Sequence, residues 1–396
     1  MAAPIIFARL SNDTFNESVI DSTDSYIING LSPNPIDAAT LSIASVGSAN
    51  VSYALGVSSF SATLNSAWNS LKNIEIAHGT SSTVSVTNFV HANIFLGNGG
   101  DSVVDVQNAK RGNIYTGNGN DTINVDALTN DTGWTNWFNI NTGLGDDVIT
   151  LTGDKDISQF NVILDDGDDQ ITLDTGYSES DIDAGDGNDS VLAGSGRDEL
   201  LGGDGNDTLS GGAGNDNIFG DDGDDILSGG ADADVINGNL GSDDVFGGAG
   251  NDELKGGKGS DLINGDADND VINGNKGNDE LFGGTGNDTV MGGKENDIID
   301  GGAGRDTLVG GRGNDVFVFA NKTDSDLGSG FDYIQDFNEG NNKIDLSVIY
   351  TLADFGTNLQ VSTDGLLTFV KATTDGSSFT IGLEGNIALD ASDFIF

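Results

Sequence analysis

The chain has 396 residues, with 64 acidic against 15 basic and a formal net charge of −49. Such an excess repels nucleic acid and bare anionic membranes, so neither is an expected partner, and a compact fold carrying it calls for bound cations. The absence of cysteine excludes disulfides and thiolate metal sites, and 60 Gly beside three Pro exclude collagen and proline-rich linkers.

Residues 1–10 hold one Arg and a short apolar run at 4–7, too little for a secretory signal. No stretch is suited to membrane insertion. The expectation is a chain that stays inside the cell or leaves by a route that reads no N-terminal signal. Residues 1–72 are rich in Ser, Thr, Asn and Ala, with strand-like runs at 25–28 and 51–55 and a short helical turn at 66–71. They show no phase and read as a β-rich cap on the first coil of an array, or as an attachment and assembly region.

Residues 73–183 carry a loose repeat. The segments 94–103, 114–123, 140–149, 162–171 and 182–191 each place an apolar residue seven before an Asp, a Gly two before it and an apolar residue two after it. The aspartates are Asp101, Asp121, Asp147, Asp169 and Asp189, separated by 20, 26, 22 and 20 residues. These are irregular solenoid coils with longer outer loops. In the longest gap Trp134, Trp137 and Phe138 form either an exposed contact patch or a cover folded over the solenoid side.

Residues 184–318 are strictly periodic. Asp189, Asp198, Asp207, Asp216, Asp225, Asp234, Asp243, Asp252, Asp261, Asp270, Asp279, Asp288, Asp297, Asp306 and Asp315 follow at nine-residue intervals, each with an apolar residue two positions later. Such phase means that one structural unit is being stacked. With the Asp at position 6, positions 7–9 form a short strand whose middle residue points inward. A strand this short needs neighbours. Glycines at positions 2 and 4 supply the turn, as in Gly203, Gly205, Gly212, Gly214, Gly248, Gly250, Gly257, Gly259, Gly284, Gly286, Gly302, Gly304, Gly311 and Gly313. Successive turns fall on opposite sides, so repeats i and i+2 stack at about 4.8 Å.

That stacking sets carboxylates in columns one strand spacing apart, which requires neutralisation. Several Ca²⁺ ions fit, because calcium takes oxygens alone, from carboxylates and turn carbonyls. Magnesium holds its waters too tightly, and zinc lacks ligands, with only His78 and His91 beside no cysteine. Three repeats replace the position-4 Gly by Asp232, Asp268 and Glu295, where weaker sites are expected. The repeat stops after Phe317, where 316–319 reads as a strand, and residues 319–396, with strand-like runs at 366–370 and 379–383, read as a C-terminal cap. The fold class expected is all-β, a parallel β-roll or β-solenoid with β-rich capping regions at both ends.

The nonapeptide G-G-x-G-x-D-x-U-x over 96–318 resembles the RTX, or repeats-in-toxin, calcium-binding family. The runs 314–319, 331–337 and 342–347 resemble the C-terminal part of serralysin-type proteases. The resemblance implies a right-handed β-roll, calcium held by the position-6 aspartates and turn carbonyls, and a tail bearing an uncleaved signal for a type I secretion apparatus. It implies a protein secreted to the exterior or surface of a Gram-negative bacterium. The serralysin H-E-x-x-H helix is missing, as is a G-x-S-x-G elbow. The pair Asp165/Asp166 reads as turn residues rather than an acid and base, and His78 and His91 as strand or loop residues. The expectation is no enzyme but a structural calcium-binding protein, a surface-layer or extracellular-matrix scaffold that self-assembles or engages cell-surface polysaccharide. A soluble adhesin or effector is the alternative, and a polysaccharide-active enzyme the third reading.

Overall fold

The computed structural model describes residues 18–19, 39–43, 59–64, 73–77, 83–88, 91–97, 100–127, 136–153, 157–175, 179–321, 324–325, 330–338, 340–356, 358–372 and 379–396. The runs expected at 25–28, 51–55 and 66–71, with His78 and Trp134, lie outside them. The described residues form an all-β parallel solenoid. Cα packing divides the chain into two units, Met1–Gly203 and Asp204–Phe396.

In the first unit two parallel ladders alternate along the chain. One runs through Thr83–Thr87, Val103–Ala109, Thr122–Ala127, Val148–Gly153 and Gln170–Thr175. The other runs through Asn73–Ala77, His91–Phe95, Arg111–Tyr115, Asn136–Asn141, Ile157–Ile163 and Glu179–Asp186. The first ladder also takes in Ser18–Val19, Ala39–Ile43 and Ser59–Leu64, each parallel to the next. Backbone within the first 72 residues thus joins the same sheet as the coils.

These coils are wide because each strand sends more than one side chain inward. Ile123, Val125 and Ala127 are all buried on one strand, and Ile149 and Leu151 on the next. Phe138 is fully buried and stacks on Phe160 at 5.9 Å. A Cβ at Gly112 would lie 3.3 Å from the Phe138 ring and 2.0 Å from Ala92 O, so only glycine fits there. Of the two readings open for the aromatics at 134–138, neither places Phe138, which is core, while Trp137 sits half-buried on the same strand.

In the second unit the coils are narrow. Strands such as Thr208–Ala213 bury position 8, Leu209, and position 1, Gly211, and nothing more. One face stacks Leu209, Leu227, Val245 and Ile263, and the other Ile218, Ile236, Leu254 and Ile272, all at most 1% exposed. Each buried aliphatic side chain contributes about 1.5–3 kcal/mol. With no side chain at position 1, this core is one residue deep.

The coil also continues beyond Phe317, where the sequence period ends. Val316–Val318 pairs with Lys343–Asp345, and Thr307–Arg312 with Asp332–Ile334. Only then does the pattern change. Leu359–Thr363, Leu367–Ala372 and Thr380–Glu384 form an antiparallel meander whose last strand lies parallel to Asp332–Ile334. An aromatic cluster closes this end, with Phe319 and Tyr350 against Phe379 at 5.9 and 5.7 Å.

Candidate metal centre

The position-6 aspartates stand in buried columns at the turns. In the second unit one column runs Asp207, Asp225, Asp243, Asp261, Asp279, Asp297 and Asp315, and the other Asp216, Asp234, Asp252, Asp270, Asp288 and Asp306, all at most 2% exposed. The rule within each is uniform. The main-chain N–H of one Asp donates to Oδ1 of the Asp 18 residues on, at 2.8–3.1 Å. Its carbonyl accepts the N–H of the residue after that Asp, as in Leu262 N to Asp243 O at 2.8 Å. The first unit holds a column on the same rule through Asp121, Asp147, Asp169 and Asp189, with 2.6–2.7 Å contacts. Asp198 accepts likewise from Ser180 N at 2.7 Å.

Oδ1 is thus satisfied and Oδ2 is left over. Among the described residues it has no hydrogen-bond partner at Asp121, Asp147 and Asp169, nor at any position-6 aspartate from Asp225 to Asp315. A buried carboxylate oxygen with no donor is costly unless a cation answers it. Burial first, then the neighbouring carboxylates, pushes Asp169, Asp225, Asp234, Asp261, Asp270 and Asp297 up to about 7.

The space beside Oδ2 is walled by position 1. A Cβ at Gly238 would lie 2.1 Å from Asp243 Oδ2 and 2.7 Å from Gly256 O. At Gly274 the same point is 2.2 Å from Asp279 Oδ2 and 2.8 Å from Gly292 O. Glycine at position 1 therefore leaves an oxygen-lined cradle formed by a carboxylate and the next coil's carbonyl. No group of three or more His, Cys, Asp or Glu side chains converges among the described residues. A cation in this cradle would depend on backbone oxygens as well as carboxylates, and such an all-oxygen donor set suits calcium.

The expected turn glycines have a different task from position 1. Gly203, Gly205, Gly212, Gly214, Gly248, Gly250, Gly257, Gly259, Gly284, Gly286, Gly302, Gly304 and Gly311 have positive φ. A Cβ at Gly257 would come within 2.3 Å of Asn239 O, and at Gly313 within 1.5 Å of Glu295 O. They let adjacent turns stack closely. Asp232, Asp268 and Glu295 take the same left-handed backbone at φ 78, 77 and 75. Oε2 of Glu295 accepts from Gly277 N at 3.2 Å.

One expected ligand is misplaced. Asp101 is exposed, and the residue in the buried column is Ser102, whose N–H donates to Asp121 Oδ1 at 2.5 Å. Asp101 instead heads the outer position-5 row, accepting from Asn120 N at 3.0 Å, as Asp146 and Asp168 do from Asp168 N and Asn188 N. At the other end two members escaped the nine-residue count. Asp332 accepts from Asp306 N at 2.8 Å, and Asn342 from Asp315 N at 2.7 Å. Burial, then the Asp306 charge, pushes Asp332 up to about 8.

The irregular coils differ at position 1, where Thr116 and Thr142 are buried. Burial raises Asp121 and pushes Asp147 up to about 6, while the two hydroxyls donate to Thr142 O and Leu164 O of the next coil, each at 3.3 Å. Asp165 and Asp166 occupy a turn, Asp165 with φ 71 and Asp166 bridging Asp186. His91 lies on a strand against the Arg111 guanidinium, and burial, then that charge, lowers it to about 4.

A family model described as the RTX calcium-binding nonapeptide repeat (4 copies) matches residues 113–127 and, in overlapping blocks, 183–218, 210–245, 219–254, 246–281 and 282–317. Over those residues the chain carries RTX calcium-binding repeats. The blocks span the aspartates from Asp189 to Asp315, so the cradles at Gly238 and Gly274 lie within repeats of a calcium-binding kind. Among solved structures, this chain is similar to the AlgE6R2 and AlgE6R3 subunits of the Azotobacter vinelandii mannuronan C5-epimerase. Each is 34% identical over 36% of this chain, covering 91% and 80% of those chains, with TM-scores of 0.24 and 0.21. Comparison with curated proteins gives no match.

Proposed function

We propose that this protein is a calcium-loaded structural scaffold of the bacterial exterior, in a surface layer or extracellular matrix. The observation that carries the reading is the pair of buried aspartate columns from Asp225 to Asp315, whose Oδ2 atoms lack donors among the described residues. Calcium would be held there by Asp225–Asp315 of the second unit and by carbonyls of position-1 glycines such as Gly256 and Gly292. Its chemistry is charge neutralisation and cross-linking of adjacent turns. Where free calcium is low, the chain is an extended polyanion suited to threading a type I secretion apparatus of a Gram-negative cell. Outside, calcium binds only the folded form and stabilises it by mass action. Sites beside Asp232, Asp268 and Glu295 are the weaker ones. Extracellular calcium modules work at about 10⁻⁴–10⁻³ M.

The acidic surface, from a chain with 64 acidic against 15 basic residues, supports a structural role. Electron microscopy of the purified chain with and without calcium tests it. Ordered assemblies that form only with calcium are expected, and isolated monomers at high concentration in calcium would contradict the scaffold.

A further inference from the structure

Position 3 of one turn edge in the second unit carries Lys258, Lys276, Lys294 and Arg312. The pairings Lys258↔Lys276, Lys276↔Lys294 and Lys294↔Arg312 set them in one in-register column. All four are exposed. The whole chain has 15 Lys and Arg, so this concentration is not a diffuse surface composition. The opposite edge carries Ala213, Ala231, Ala249 and Ala267 at the same position, also in register. Uncharged residues therefore satisfy the turn, and the fold does not require lysine there.

Parallel strands lie about 4.8 Å apart, so the column spaces like charges at close to that interval. Like charges in such a row repel one another. Lys258, Lys276 and Lys294 line a shallow groove of about 450 Å³ together with Asn239, Leu240, Gly257 and Asn275. Asn239 and Asn275 hold the left-handed position at φ 73 and 72. The groove thus combines a regular row of cations with amide-bearing residues and contains no aromatic ring. Without a ring there is no stacking platform for nucleobases. A chain of acidic sugars matches better: it carries anions at a regular repeat, and its hydroxyls suit amide partners.

We infer that this groove binds a linear acidic polysaccharide, with successive carboxylates or sulfates seated on Lys258, Lys276 and Lys294. The inference deepens the scaffold reading by naming what the scaffold holds. It requires that the second unit be folded.

The test uses the full calcium-loaded chain and isothermal titration with a short oligogalacturonate, its methyl ester and a single-stranded oligothymidylate. The oligogalacturonate should bind, weaken as salt rises, and lose affinity on the order of tenfold or more in Lys258→Gln/Lys276→Gln/Lys294→Gln. Lys255→Gln, off the column, should bind as the parent does, and the single charge reversal Lys276→Glu should weaken binding if the triple variant does not fold. Neutral ester should not bind. Equal binding by the parent and the lysine variants, equal binding of the ester, tighter binding of the oligothymidylate, or no binding of the acidic oligomer would each overturn the groove. Circular dichroism of each sample separates the two readings: a chain that folds on calcium but binds no acidic sugar sinks the groove and leaves the calcium-loaded scaffold standing.

Discussion

Gly259→Ala isolates the contact that stacking imposes on this chain. Gly259 has φ 135, and a Cβ there would lie 1.5 Å from Gly241 O and 2.5 Å from Gly241 C. Both are backbone atoms of the neighbouring turn, which cannot rotate away as a side chain would. Two costs add: about 1–2 kcal/mol for placing an L side chain at positive φ, and about 1–3 kcal/mol for forcing packed backbone apart. Their sum, about 2–5 kcal/mol, is a large share of the 5–15 kcal/mol that holds a typical domain. Gly365 supplies the control, with φ 97 but nothing within 4 Å of its Cβ position. Gly365→Ala should lose only the conformational part, about 1–2 kcal/mol. The assay is denaturant unfolding of both variants in saturating calcium, followed by circular dichroism. Equal losses in the two variants would refute the claim that turn-on-turn contact, rather than glycine φ, governs the array.

Further outcomes follow from the same coils. Leu254→Ala empties a fully buried site between Ile236 and Ile272 and should cost about 2–5 kcal/mol in calcium-saturated unfolding. Glu295→Gly relieves a non-glycine residue at φ 75 and should raise stability by about 1 kcal/mol, read as a higher denaturant midpoint. The calcium-free chain should gain structure on acidification. Burial raises Asp225, Asp261 and Asp297 from 3.8 to about 7, so between those values the folded form binds more protons than the unfolded. Stability in chelator is therefore fullest below about pH 4 and lost as pH rises through 7; circular dichroism in chelator at pH 5 and pH 8 checks the sign. With calcium the trend reverses, because protons and calcium compete for the same oxygens.

The regular array was legible because its period is strict. Positions 6 and 8 each repeat a chemistry, and Leu254 or Asp261 could be assigned to core or turn from phase alone. The ends were not legible in that way. Ser102 holds its place through main-chain N–H and C=O, which leave no mark in side-chain identity, so the adjacent Asp101 drew the count. Asp332 and Asn342 lie 26 and 27 residues beyond their partners, past insertions that break the nine-residue phase. Phe138 looked like a loop aromatic because its burial depends on Gly112, a strand away. The position-1 glycines Gly238 and Gly274 matter for the space they leave beside a carboxylate, which shows only once the turns stack. The lysine column was invisible for a similar reason: its members are 18 residues apart and become neighbours only when the turns stack.

The most direct measurement is far-UV circular dichroism of the full chain near pH 7.5, first in chelator and then through a calcium titration. The account predicts a largely unfolded spectrum in chelator and a cooperative rise to a β-rich one as calcium fills the aspartate columns. A fully β-rich spectrum in chelator, unchanged by calcium, would contradict it.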